Sequence, residues 1–190
     1  MPANVDNSGE TEEQYFIALG QFMEAFAVTE LSLYWALGYY SGASKRACKA
    51  LFERTTVDGA IRILTGICRD DTAVPEWPVM QVALRQLDEI RMLRNNLIHL
   101  GSAIEGDGAR RIRGDKSSDA QRAVSRARVS GRLLYNVAHD LSTISLYLMV
   151  WVHPPNSKPK NAEAARSQAD ELQCSWLFSE TVRASIRSGN

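Results

Sequence analysis

Apolar residues along the chain repeat with a helical period, and prolines punctuate the repeat. Tyr15, Leu19, Phe22, Phe26 and Leu33 recur at three-, four- and seven-residue spacings, the mark of one buried helix face. Trp35, Leu37 and Tyr39 thicken that face before Ser41-Gly42 ends it, so a first helix is expected from a capping-like Ser8-Gly9-Glu10-Thr11 to Tyr40. A second is expected from Ser44 to Cys68, burying Leu51, Phe52, Val57, Ile61, Leu64 and Ile67. Pro75 and Pro78 mark the next connection. Proline is tolerated in a first turn, so a third helix is expected from about Pro78 to Leu100, before Gly101. Four glycines make 101–118 a loop or short hairpin. Ser118-Asp119 is then expected to cap a fourth helix to Val152, with Val129, Leu133, Val137, Leu141, Ile144, Leu148 and Trp151 inside.

Strands of any length are absent from this pattern. The expected fold is all-α: an antiparallel four-helix bundle over 10–152, a proline-rich linker at 153–160, and a short, weakly helical C-terminal appendage over 161–190. Tyr34, Trp35, Tyr39, Tyr40, Tyr147, Met149 and Trp151 exceed what one narrow core stripe needs, and such surplus apolar surface marks an interface. A two-fold homodimer is expected.

Composition narrows the function classes. The 190 residues are 45% hydrophobic and 23% charged, values of an ordinary globular protein. Lys+Arg and Asp+Glu both number 22, which excludes nucleic-acid binding by bulk charge but not by a local patch. Three scattered cysteines fit neither a disulfide framework nor a thiolate metal site. The polar, acidic N-terminus has no secretory pattern, and Leu133–Val152 carries Asn136, His139 and Asp140, so a cytoplasmic protein without a membrane span is expected. No phosphate-binding glycine loop, His-Glu-x-x-His, Cys-x-x-Cys or Gly-x-Ser-x-Gly occurs, and neither metal nor cofactor is expected.

One segment concentrates chemistry: Glu89-Ile90-Arg91-Met92-Leu93-Arg94-Asn95-Asn96-Leu97-Ile98-His99-Leu100-Gly101. Leu87, Ile90, Leu93, Leu97 and Leu100 define a core face. At about 100° per residue Arg94 falls about 40° from Ile90, on the margin of that face. Asn95 and His99, four apart, share another. Histidine can take or give a proton near neutrality, and arginine offers phosphate oxygens a fixed fork of donors.

Arg94-Asn95-Asn96-Leu97-Ile98-His99 resembles the Arg-Asn-x-x-x-His signature of HEPN domains, many of which are metal-independent ribonucleases of toxin–antitoxin and phage-defence systems. The resemblance implies that Arg94 and His99 are catalytic, that Asn95 supports them, and that two protomers bring their motifs together. It implies RNA as substrate and an antitoxin or other protein as partner. It also implies an alternative, since some members are silent modules that bind RNA, a nucleotide or a protein. Glu30 on the first helix would hold Arg94, as helix-one acids in the family do. Arg110, Arg111, Arg113 and Lys116, followed by Arg122, Arg126, Arg128 and Arg132, form the one local excess of positive charge and would track phosphates beside the cleft. His139-Asp140 is set aside as catalysis, because adjacent helical residues do not face each other.

Overall fold

The structure is a computed structural model that describes residues 10–52, 54–70, 74, 76–105, 108–112, 129–152 and 162–178, with the backbone alone at 51, 52, 70, 150–152 and 162. It is mostly helical, as the apolar period requires. Among the described residues the elements run α1 (Glu12–Tyr40), α2 (Lys45–Phe52), α3 (Val57–Asp70), α4 (Trp77–Leu100), strands β1 (Ser102–Ile104) and β2 (Arg110–Ile112), α5 (Gly131–Val152) and α6 (Ala162–Cys174). The described residues fall into two compact units. One holds those within 10–25, 89–140 and 176–178, and the other those within 26–88 and 141–175. Helices α1, α4 and α5 therefore contribute to both.

Local chemistry explains where the helices begin. Thr11 Oγ1 accepts from Gln14 N–H (3.2 Å) while Gln14 Oε1 accepts from Thr11 N–H (3.0 Å), a reciprocal capping box that starts α1. Ser44 caps α2 through Ala47 N–H at 3.3 Å. The single helix expected over Ser44–Cys68 is two. Thr56 Oγ1 accepts from Gly59 N–H at 3.2 Å and starts α3 afresh, because a threonine that satisfies an orphan donor terminates what precedes it. The expected start at Ser118-Asp119 lies outside the described residues; Val129 and Ser130 are not helical, and Ser130 Oγ caps α5 through Leu133 N–H at 3.2 Å. Residues 113–128 and the linker at 153–160 lie outside the described residues.

In the first unit Tyr15, Ala18 and Phe22 of α1, Ile90, Leu93 and Leu97 of α4, and Leu133, Leu134 and Val137 of α5 are buried. A hairpin joins α4 to the rest. Its strands pair antiparallel with Ser102 opposite Ile112 and Ile104 opposite Arg110. Val129 N–H extends the strand chemistry by donating to Arg110 C=O at 2.8 Å. Gly131 N–H, at the first turn of α5, donates to Glu10 Oε2 at 2.9 Å. A Cβ at 131 would stand 2.0 Å from the other Glu10 oxygen, so any other residue here would push the Glu10 carboxylate aside.

Asp140 closes the same unit. The residue is fully buried, and its two carboxylate oxygens accept from Leu177 N–H (3.1 Å) and Phe178 N–H (3.0 Å), 37 and 38 residues on. Trp176 and Phe178 are themselves buried. The appendage expected to be weakly helical thus contains a thirteen-residue helix and core side chains.

In the second unit Phe26, Leu33, Ala36 and Leu37 of α1 are buried, as are Leu64 of α3, Met80 and Leu87 of α4, Leu141, Ile144 and Leu148 of α5, and Ala165 and Leu172 of α6. Two buried polar links tie α1 to α5: Thr29 Oγ1 donates to Leu141 C=O (3.0 Å), and the Ser32 and Ser145 hydroxyls meet at 2.7 Å. The opposite side of α1 is also apolar. Val28, Leu31, Trp35 and Tyr39, spaced by three or four, are each about half exposed. For that reason α1 is by length and composition apolar enough to cross a membrane, with a mean hydropathy of 1.3 and 33% of the window buried.

Tyr40 donates to Glu76 Oε1 at 2.7 Å, and Glu76 is 3% exposed. Burial, then the adjacent carboxylate, pushes the Tyr40 phenol well above its ordinary 10.0. A phenol that ionises more readily unfolded than folded stabilises the fold fully below pH about 10 and progressively less above it. Wild-type melting temperature should therefore fall between pH about 9 and 11 by more than that of Tyr40→Phe. At pH about 7 the variant should be destabilised by about 1–3 kcal/mol, because Glu76 loses a buried donor. Thermal melts at the three pH values check both signs.

Candidate functional site

The motif occupies the last two turns of α4, in the first unit. Leu93 and Leu97 face the core, which sets the rotation of the helix and hence of every polar side chain between them. Arg94 and Asn95 come out half-buried, and His99 is exposed. Leu100, expected inside, is 37% exposed, because the helix ends there and the core face ends with it. Gly101 adopts φ +65°, and its N–H returns to Leu97 C=O at 3.0 Å. This left-handed C-cap turns the chain directly into β1, leaving His99 on the last turn.

Arg94 and Asn95 are brought together. Arg94 Nη1 donates to Asn95 Oδ1 at 3.0 Å. The amide oxygen thus orients the guanidinium fork, and the Asn95 amino group is the end that remains to reach outward. His99 stands one turn beyond Asn95 on the same helix side.

Asn96 was not singled out by the motif, yet it is the most buried polar residue within it, at 9% exposure. Its Nδ2 makes no hydrogen bond among the described residues. A residue three after Leu93 lies about 60° from it round the helix, so the burial of Asn96 was available from angle counting alone.

Glu30 accepts a hydrogen bond from Tyr34 O–H at 3.4 Å, one turn along α1. It belongs to the second unit and Arg94 to the first. Tyr34 also donates to Thr55 C=O, and burial, then the Glu30 charge, raises its phenol.

The basic residues divide. Arg110 is 7% exposed, its guanidinium carbon lies 4.1 Å from the centre of the Tyr15 ring, and Nη2 is 3.8 Å from Glu12 Oε1. That cation–π and charge pairing ties Arg110 of the hairpin to α1. The Tyr15 hydroxyl meets Ser102 Oγ at 2.9 Å, and burial is the largest influence raising its phenol. Arg111 points the other way, 27% exposed, with Nη1 2.8 Å from Glu105 Oε2. Arg113 and Lys116 lie outside the described residues. His139 is exposed, with Nδ1 3.8 Å from Asp140 Oδ1. Among the described residues no three His, Cys, Asp or Glu side chains group as metal ligands.

Comparison with protein-family models, curated proteins and solved structures gives no match. The reading of the site therefore rests on its own residues.

Proposed function

We propose that this chain is a metal-independent endoribonuclease of HEPN type, an antiparallel four-helix bundle with a C-terminal appendage that acts in the cytoplasm as a homodimer. The observation that carries the reading is the coupled Arg94–Asn95 pair, half-buried at the end of α4, with His99 exposed on the next turn. In this mechanism a histidine takes the proton of the RNA 2′-hydroxyl, and the oxygen attacks the adjacent phosphorus. Arg94, held by Asn95, binds the phosphorane oxygens through its planar fork. A second histidine protonates the departing 5′-oxygen, leaving a 2′,3′-cyclic phosphate and a 5′-hydroxyl. One chain supplies one motif, so the second histidine is the His99 of a partner protomer.

Arg111 remains in the proposed RNA-contacting set, and Arg110 leaves it because its guanidinium is engaged by Tyr15 and Glu12 of α1. The buried face of α1 and the Thr29 and Ser32 hydrogen bonds favour a helix of the fold over a membrane span. Its exposed Val28, Leu31, Trp35 and Tyr39 suit a protomer contact. Light scattering at micromolar concentration should give a dimer, and Trp35→Glu should shift it to monomer with loss of cleavage. A wild-type monomer removes the two-histidine mechanism.

The deciding experiment incubates the protein with RNA in excess EDTA. Cleavage that persists with chelator and disappears in His99→Ala supports the enzyme. Intact RNA that stays bound supports the silent binding module, and neither binding nor cleavage returns the motif to coincidence.

A further inference from the structure

Helix α2 follows α1 after residues 41–44 and lies wholly within the second unit. Its eight residues hold three cations, Lys45, Arg46 and Lys49, and no acid. At about 100° per residue the three fall within about 100° of arc, with Lys49 between the other two. All three are exposed, whereas Ala47 and Cys48, on the other side, are half-buried. The Cys48 thiol donates to Ala43 C=O at 3.4 Å and packs on Gly38 of α1, where a Cβ would stand 3.3 Å from Sγ. That contact fixes which side of α2 faces water.

The arrangement is unfavourable for the chain on its own. Lys45 and Arg46 occupy the first turn, at the positive end of the helix dipole, and Lys45 and Lys49 repel one turn apart. Among the described residues none of the three has an ion-pair partner. The hairpin arginines differ, since Arg110 has Glu12 and Arg111 has Glu105. A positive surface that the fold leaves unneutralised attracts a polyanion from outside. The seating of α2 limits which one. A basic amphipathic helix enters a bilayer by its apolar side, and Cys48 already holds that side against α1. What faces outward is a stripe of donors suited to phosphates.

We infer that the exposed side of α2 binds the phosphate backbone of RNA, with Lys45, Arg46 and Lys49 each taking a phosphate. Arg46 offers its fork to two oxygens of one group, and the lysines act as point charges. Affinity from such contacts is independent of base sequence and falls with salt. The inference rests on the choice of RNA in the proposed function and not on cleavage, and α2 shares no residue with the α4 motif.

Fluorescence anisotropy of a labelled single-stranded RNA with the full-length His99→Ala chain, which leaves the RNA intact, tests the assignment. In that background Lys45→Gln/Arg46→Gln/Lys49→Gln should bind at least about tenfold more weakly, equally for two unrelated sequences, with Lys49→Gln alone in between. The slope of log affinity on log salt should shrink by about 2, the share of three phosphates on a single strand. Lys45→Arg/Lys49→Arg should stay within about twofold of the parent, as should Arg62→Gln/Arg69→Gln/Arg166→Gln, which removes the same charge from α3 and α6. Melting curves show that the variants are folded. No RNA binding by the parent, unchanged binding in the α2 variants, an equal loss in the α3–α6 variant, or a loss seen only with phosphatidylserine vesicles overturns the inference. Cleavage by the wild type in EDTA with unchanged binding in the α2 variants removes this surface alone, whereas lost binding in a chain that cuts nothing removes the enzyme alone.

Discussion

Arg94→Lys should lose RNA cleavage by at least about 100-fold while its melting temperature stays within about 2 °C of wild type. Lysine keeps the charge and can still donate one hydrogen bond to Asn95 Oδ1, so the half-buried site remains filled. It lacks the planar fork, so two phosphorane oxygens can no longer be held at once. Arg94→Ala completes the test. If the side chain serves mainly to satisfy the fold, alanine melts earlier and lysine retains cleavage. A stable, fully active Arg94→Ala removes both roles, and melting curves beside a cleavage assay separate the three results.

Asp140→Ala should be the most damaging single change to the fold, at about 3–5 kcal/mol. The substitution leaves the buried backbone N–H of Phe178 and the part-buried one of Leu177 without this acceptor. A chain of this size loses roughly 2–4 °C of melting temperature per kcal/mol, so a fall of about 6–20 °C is expected. Asp140→Asn keeps one acceptor oxygen and turns an amino group toward the other N–H, so it should fall between. A melting temperature unchanged in Asp140→Ala would mean that the 176–178 segment contributes little to the first unit.

Much of the helical framework is legible because its period is strong. Phe22, Leu33, Leu93, Leu133 and Leu141 were all placed inside by spacing, and all are buried. The breaks are less legible, because a cap is one residue among many of its type. Thr56 and Ser130 start helices, and nothing periodic marks them out from the other serines and threonines of the chain. The motif is legible because it is contiguous on one helix. Its partners are not, because a pattern along the chain does not say which distant side chain meets which. Glu30 is expected to hold Arg94, and the contact the structure shows for it is the local one from Tyr34, one turn along α1. Arg110 read as one of a basic run. Yet Arg110 and Ile112 alternate with Arg111 in a strand, and that period of two already separates an inward arginine from an outward one.

The first unit is stitched from three separated stretches of chain, and its stitches are long. Glu10 meets Gly131 across 121 residues, whereas Asp58 meets Arg62 and Thr56 meets Gly59 within a turn. Entropy of loop closure must be overcome before such a distant contact contributes anything. Refolding should therefore be staged in time. In a pulsed hydrogen-exchange experiment the amides of α3 should acquire protection early, and those of Gly131, Leu177 and Phe178 late and together. Until that moment the turn that presents His99 has no finished core beneath it, so any activity should return with the slow phase rather than with the bulk of the helix signal.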